Sequence, residues 1–120
     1  MAGACDISIV IPAFRAAATL RRTVESCLPH VPPRNVVVVL DGPDAELEQA
    51  ALSCSPGVRV FMQPQSRGAP AGRNLGLALT ETPYVMFLDA DDYIEGALLP
   101  AACRQARAAQ ADMVLGRFAF

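Results

Sequence analysis

The residues with the clearest chemical potential are three aspartates at the end of an apolar run, in the segment YVMFLDADD at 84–92. The apolar part, with β-branched and aromatic members, predicts a buried strand. Asp89, Asp91 and Asp92 cannot belong to the core, because an unpaired buried carboxylate is very costly. Carboxylates this close together repel one another unless a cation or hydrogen-bond donors compensate. We therefore expect them at the carboxyl end of a strand, where they could bind a divalent metal that carries phosphates.

Other polar segments of the sequence can reach the same place. Residues 12–15 and Asp41 follow two further apolar runs, and parallel strands bring such ends to one edge, so we expect a shared crevice. The segment RGAPAGRN at 67–74 leads into a predicted helix. Its glycines allow close backbone approach, and the helix start with Arg67 and Arg73 favours an anion. Carboxylates for a metal and arginines for phosphate predict a nucleoside diphosphate site.

Alternating apolar runs and amphipathic segments predict the elements that position these residues. We expect strands at 7–11, 36–40, 58–62 and 84–88, and helices at 17–28, from a cap at Asp44 onward, near 70–80 and at roughly 97–110. Short connections predict a three-layer α/β/α fold with a mostly parallel, Rossmann-like sheet. Leu75 and Leu79 are expected to face inward. Because the sequence ends on another apolar run, MVLGRFAF, we expect residues 1–120 to be a single domain and the front portion of a longer, truncated fold.

Composition narrows the class of protein. A hydrophobic content of 52% favours a buried sheet over disorder, and a net charge of −2 argues against a general nucleic-acid binder. No apolar run approaches the roughly 20 residues that span a bilayer, and no signal peptide is recognisable. The scattered cysteines, without a C-x-x-C pair, predict reduced thiols in a cytoplasmic protein. His30 is expected to be an ordinary loop residue.

The candidate site residues also have purely structural interpretations. Asp41, with the glycine after it, is a common turn dipeptide, and Asp92 could cap the following helix. Arg73 could be a solvated helix residue, and Asn74 could brace a loop. The acids at 89 and 91 fit a solvated loop less well, because an apolar strand delivers them to the edge of the sheet.

Three segments together resemble the donor-binding half of family 2 glycosyltransferases: ISIVIPAFRAAATLRRTVESCL, VVVVLDG and RGAPAGRNLGLALTETPYVMFLDADD. They follow one another in the family's order over nearly the whole chain. The resemblance implies the GT-A fold and transfer of a sugar from a nucleoside-diphosphate sugar to an acceptor hydroxyl, with inversion. It also implies Mg²⁺ or Mn²⁺ on the donor diphosphate, a role in polysaccharide biosynthesis and a cytoplasmic location that includes the inner face of the membrane.

The resemblance assigns donor-binding roles to particular positions, namely Pro12, Ala13, Phe14, Asp41, Arg73, Asn74, Asp89 and Asp91. The backbone of 12–14 would border the nucleotide base. Asp41 matches the second acid of the family's D-D-G-S, which hydrogen-bonds the base, and 73–74 match an A-R-N near the base and the phosphates. In the D-x-D, Asp89 would lie close to the ribose and Asp91 would be the metal ligand.

The sequence departs from the family pattern in places. Leu40 replaces the first acid of D-D-G-S, and Pro43 replaces its serine. Arg15 replaces a frequent Asn, and Gly72 replaces the Ala of A-R-N. The missing acid at 40 bears on base recognition and leaves the metal site intact.

Displacement with inversion needs a general base that deprotonates the acceptor hydroxyl. In the family this carboxylate belongs to the second half of the domain, which also builds the acceptor site. We therefore expect the general base beyond residue 120, with a sugar, a lipid-linked group or a protein as the acceptor.

The alternative is a phosphohydrolase of the haloacid-dehalogenase type, with Asp89 as its nucleophile. That family has Thr or Val two residues after its second Asp and places the motif at its first strand, whereas this sequence has Tyr93 there and places the motif at its fourth predicted strand. A receiver domain needs acids after the first strand, and a dinucleotide-binding fold needs G-x-G-x-x-G there. The segment IVIPAF supplies neither.

Overall fold

The structure is a computed structural model that describes residues 6–95 together with Arg104 and Ala108. The strands are β1 (Ile7–Ala13), β2 (Val36–Leu40), β3 (Arg59–Met62) and β4 (Tyr84–Phe87). The helices are α1 (Leu20–Cys27), α2 (Ala45–Leu52) and α3 (Ala69–Ala78), with a 3-10 turn at Pro33–Asn35. Arg104 and Ala108 are helical; otherwise the predicted helix at 97–110 and the apolar run at 113–120 lie outside the described residues.

Within the described residues, the strands form one parallel sheet in the order β3-β2-β1-β4. β1 and β2 are almost wholly buried, which explains their continuous apolar runs. On one face of the sheet, Ile9 and Val38 share a core cluster with Leu20 of α1 and Leu47 of α2. Val10 belongs to a second cluster on the opposite face, which α3 covers. The prediction of a three-layer α/β/α fold with a parallel sheet is confirmed.

Pro12 marks the place where β1 and β4 separate. The sequence predicted a strand that ends before Pro12, but β1 continues to Ala13 by pairing with β2. The Leu88 N–H donates to the Val10 carbonyl at 3.0 Å, so the backbone groups of Val10 point toward β4. Because these directions alternate along a strand, the backbone of Pro12, two residues on, faces β4 as well. Because proline has no N–H, it cannot extend the β1–β4 ladder. The sheet therefore opens between the carboxyl ends of these two strands.

Two buried glycines allow α3 to lie close to the sheet. A Cβ atom added at Gly72 would lie 3.2 Å from the Cβ of Pro12, and one at Gly76 would overlap the side chain of Val10. The two glycines are four residues apart and therefore share one face of the helix. This face is the one that contacts β1.

The prediction that Leu75 faces inward is wrong, whereas Leu79 packs against the sheet as predicted. Leu75 is 36% exposed, and Leu79 is half-buried against the cluster that contains Val10. The reason is that Gly72 and Gly76 occupy the face of α3 that meets the sheet, which turns the neighbouring Leu75 toward solvent.

Some predictions from composition can be compared with the described residues. Cys27 and Cys54 carry free thiols, and burial raises the pKa of Cys27 to about 12 against a smaller lowering by Ser26. Cys5 and Cys103 lie outside the described residues. His30 is half-buried in the loop after α1. No helix in the described part of the chain is long and apolar enough to cross a membrane.

Candidate functional site

The loops that follow the strands gather at the carboxyl edge of the sheet. β2 and β3 lie on one side of β1 and β4 lies on the other, so the strand order reverses between β1 and β4. Open α/β sheets bind their ligands at such a switch point. A crevice of about 390 Å³ is present there, lined by Pro12, Phe14, Arg15, Ala16, Ala18, Thr19, Ala90 and Asp91.

Of the residues predicted at the end of β1, Pro12 and Phe14 line this crevice. Pro12 is half-buried and the ring of Phe14 is 53% exposed. The side chain of Ala13 is buried in the core, and its carbonyl accepts the N–H of Asp41 at 2.9 Å. Ala13 can therefore border a ligand only through its backbone.

Arg15 occupies an unusual backbone conformation at the mouth of the crevice. Its φ of 49° lies in the left-handed region, which Asn tolerates better than Arg does. Its guanidinium lies 4.9 Å from the centroid of the Phe14 ring, a cation–π distance. The departure from the family's frequent Asn thus falls where the backbone favours Asn.

The acidic loop, residues 88–94, brings the three aspartates together. One carboxylate oxygen from each of Asp89, Asp91 and Asp92 lies within 4.8 Å of the other two. The first two side chains are exposed and the third is half-buried, and the Asp92 N–H closes a turn on the Asp89 carbonyl at 3.0 Å. Burial raises the pKa of the Asp92 carboxyl, and the charges of Asp91 and Asp89 raise it further. The predicted capping role of Asp92 concerns a helix outside the described residues.

This set of donor atoms fits a hard divalent cation. Carboxylate oxygens are the ligands that Mg²⁺ and Mn²⁺ prefer, and the two exposed acids can approach an ion that keeps several waters. A cation would also remove the repulsion among the carboxylates.

α3 carries Arg73 to the acidic loop. Its Nη2 atom lies 3.6 Å from Oδ1 of Asp89, and both side chains are partly exposed. A pair so open to solvent contributes little to stability. The pair matters for position, because it places the guanidinium of Arg73 beside the aspartates at the crevice. Asn74, the next residue of α3, is exposed.

Asp41 is buried, and its carboxylate binds the segment 63–68 that follows β3. Oδ1 accepts the backbone N–H of Arg67 at 2.7 Å and the side-chain amide of Gln63 at 3.2 Å. Oδ2 accepts the hydroxyl of Ser66 at 2.8 Å, and the N–H of Gly68 lies 3.1–3.2 Å from both oxygens. Burial alone would raise the pKa of this carboxyl, but the bonds from Arg67, Ser66 and Gly68 together lower it below its usual value.

Sequence reasoning missed several residues around the crevice. The partners of Asp41 were not expected, nor were the hydroxyls of Thr19 and Thr23, which contact the acidic loop. The available signal was weak. Two threonines four residues apart, on a helix that follows β1, indicate a polar stripe but do not say what the stripe contacts.

The fold and the crevice together define an α/β module with an opening at a switch point, where such sheets bind their ligands, and with carboxylates and an arginine beside it. A protein-family model described as glycosyl transferase family 2 matches residues 8–120. The chain therefore belongs to glycosyltransferase family 2, and the predicted resemblance is confirmed.

Curated relatives match much of this chain. The succinoglycan biosynthesis protein ExoU of Rhizobium meliloti (strain 1021) is 34% identical over 91 residues, which cover 73% of this chain and 27% of that protein. The pre-mycofactocin glycosyltransferase of Mycobacterium tuberculosis (strain CDC 1551 / Oshkosh) is 37% identical over 89 residues, which cover 72% of this chain and 18% of that protein. The chain thus spans less than a third of the length of either relative.

Solved structures share the fold. The crystal structure of S. aureus TarS 1–349 matches with a TM-score of 0.68 at 25% identity, over 85% of this chain and 32% of that chain. The same TarS segment in complex with UDP matches with a TM-score of 0.66 at 24% identity, over 85% of this chain and 32% of that chain. The predicted fold class is confirmed, and none of these matches supports the phosphohydrolase alternative.

Proposed function

We propose that this chain is the donor-binding portion of a glycosyltransferase that transfers a sugar from a nucleoside-diphosphate sugar to an acceptor hydroxyl. The observation that carries this proposal is the grouping of three carboxylates and Arg73 beside the crevice between β1 and β4. Family membership supplies the reaction class. The general base and the acceptor site are proposed to lie beyond residue 120, in line with the greater length of the matched relatives.

We place the nucleotide base against 12–14 and the phosphates toward the acidic loop. The exposed ring of Phe14 offers a flat apolar surface to a base, and Arg73 offers a positive charge to a phosphate. Asn74 would lie near the base and the phosphates, and Asp89 near the ribose. The TarS segment with a matching fold has been crystallised with UDP, which supports a nucleotide of this kind.

Asp41 is proposed to form the wall at the base end of the site. Its oxygens already accept hydrogen bonds from the segment 63–68, so a bond to the base would have to share them. A carboxylate offers about four acceptor positions in total. The main contribution of the Asp41 side chain is therefore to hold the segment 63–68 in place.

Mg²⁺ or Mn²⁺ is the proposed cofactor, with Asp91 as its ligand. When bound, such an ion stabilises the negative charge of the departing diphosphate. Asp91 is exposed at the crevice and can reach an ion there, and Asp89 is already engaged with Arg73. The residues of this chain therefore bind and orient the donor, and they position the charges that stabilise its leaving group.

Asp91→Asn tests this proposal by isothermal titration of UDP, GDP and ADP, each with Mn²⁺ and with a chelator. We expect Mn²⁺ to tighten the binding of a nucleoside diphosphate to the wild-type chain by tenfold or more, and Asp91→Asn to abolish that gain, because a ligand carboxylate is lost.

Glu81→Gln is the matched control, since Glu81 is an exposed acid just before β4, at the opposite edge of the sheet. Its titrations should equal those of the wild type. Metal-dependent binding that persists in Asp91→Asn would overturn the role of Asp91. A wild-type chain that binds no nucleoside diphosphate would overturn the proposed function.

A further inference from the structure

Helix α1 and its N-cap turn a polar stripe toward the acidic loop. The stripe consists of Thr19, Arg22, Thr23 and Ser26, at the spacing i, i+3, i+4, i+7 that places residues on one face of a helix. An adjacent stripe that includes Leu20 faces the core. The helix therefore has two contact faces, one for the sheet and one for the loop.

The two threonines bind carbonyl groups of the loop. The hydroxyl of Thr23 lies 2.8 Å from the carbonyl oxygen of Ala90 and 2.5 Å from that of Asp92. The hydroxyl of Thr19 lies 2.9 Å from the same Ala90 oxygen. Thr23 is 1% exposed, so its bond to the Ala90 carbonyl is shielded from water and stronger than it would be at the surface.

The other two members of the stripe hold the next residues of the loop. The hydroxyl of Ser26 accepts the N–H of Ile94 at 2.9 Å and donates to the carbonyl of Thr23 at 2.7 Å. The guanidinium of Arg22 lies 4.1 Å from the centroid of the Tyr93 ring. The stripe thus contacts the loop at Ala90, Asp92, Tyr93 and Ile94.

These contacts oppose the repulsion among the aspartates. Three carboxylates within 4.8 Å of one another favour a loop that spreads them apart. The hydroxyls hold the loop by its backbone at positions 90, 92 and 94 and use none of the carboxylates. The acids therefore stay close together and remain available to a ligand.

We propose that the polar stripe of α1 is the positioning device of the metal–diphosphate site, and that Thr23 is its central positioning residue. The stripe sets the arrangement of Asp89 and Asp91 before the ligand arrives, which reduces the free-energy cost of ordering the loop on binding. This inference rests on the proposed function.

Thr23→Val is the first test, because valine keeps the shape of the side chain and removes the hydroxyl. We expect the ratio of the UDP dissociation constant in chelator to that in Mn²⁺ to fall about tenfold, roughly the contribution of one buried hydrogen bond. The dissociation constant in chelator should stay within about twofold of the wild-type value. Thr23→Ser keeps the hydroxyl and should restore the ratio.

Thr80→Val is the matched control, because the hydroxyl of Thr80 is exposed and donates to Leu77 after α3. Amide hydrogen exchange provides a second measurement that needs no nucleotide. Exchange in 88–95 should be about tenfold faster in Thr23→Val, and exchange in β2 should not change. Should Thr23→Val fail to fold, Ser26→Ala takes its place with the same expected directions.

The outcomes separate this inference from the proposed function. An unchanged ratio in Thr23→Val, or an equal loss of binding with and without Mn²⁺, would overturn the positioning role. A failure of Thr23→Ser to restore the ratio would do the same. A wild-type chain that binds no nucleotide would overturn the proposed function and the link to the ligand, while faster exchange in 88–95 would still identify the stripe as the anchor of the loop.

Discussion

At the scale of single residues, the carboxylate of Asp41 joins parts of the chain that lie 22 to 27 residues apart. The sequence identified this residue by its place after a strand and by its match to a family motif. Its partners, among them Gln63 and Ser66, could not be predicted, because no local pattern in 63–68 says where the segment folds back. Gly42 makes the turn after Asp41 possible, because it adopts a φ of +97° and because its missing Cβ lets the backbone of Ser66 lie close.

We expect Asp41→Asn to lower the free energy of unfolding by about 1–3 kcal/mol. The reason is that the amide nitrogen of Asn, in the place of Oδ2, cannot accept the Ser66 hydroxyl or the Gly68 N–H. Urea titration at pH 7 measures the effect. Asp44→Asn is the control, because Asp44 caps α2 through the Leu47 N–H and Asn caps equally well. Equal stability of the two variants would contradict the role given to Asp41.

The pKa of the Asp41 carboxyl gives the difference in stability between wild type and Asp41→Asn a pH dependence of known sign. The folded state lowers the pKa of Asp41 below its usual value of 3.8. Its contribution to stability is therefore present above that value and is lost as the pH falls through the lower, folded-state pKa. The difference in stability between wild type and Asp41→Asn should shrink as urea titrations move from pH 5 to pH 3.

At the scale of elements, the sequence located the strands well and the helix faces less well. Continuous apolar runs end sharply, so β2 was predicted with its observed bounds. α1 begins at Leu20 and not at 17, because 17–19 form a turn. The leucines of α3 indicate a different face from the observed one, because close packing on β1 selects Gly72 and Gly76.

We expect Gly76→Ala to destabilise the fold by about 1–3 kcal/mol, the usual cost of overpacking. The added methyl group would overlap the side chain of Val10. Thermal or urea unfolding measures the loss. In the background of Val10→Ala, which removes the obstructing methyl groups, Gly76→Ala should cost clearly less, as a double-mutant cycle would report. Additive effects would show that α3 does not rest on β1 through this glycine.

At the scale of the whole molecule, sheet order decides where the chemistry can occur. The sequence predicted that the acids, Asp41 and the arginine segment share one edge, and the structure places them along it. The sequence did not predict the opening between β1 and β4, because a pattern of apolar runs does not reveal the order of strands in the sheet. The support of the acidic loop by α1 depends on the same tertiary arrangement.

Ligand binding should stabilise the whole described fold. UDP with Mn²⁺ at about 100 times its Kd adds about 2.7 kcal/mol, which raises the Tm of a domain of this size by roughly 10 °C. Uridine with Mn²⁺ should give a much smaller shift in Tm, because it lacks the phosphates that Arg73 and the metal at the acidic loop are proposed to bind. Differential scanning fluorimetry measures both, and equal shifts would argue that binding occurs away from these groups.

The missing N–H of Pro12 has a consequence for how this site can change. The opening beside Pro12 is created by main-chain geometry, since pairing between β1 and β4 stops there whatever side chains surround it. Substitutions at lining positions such as Phe14 or Ala18 alter the surface that a ligand meets and leave the opening in place. The fold thus separates the existence of a binding site from its selectivity, so new specificities can arise without rebuilding the sheet.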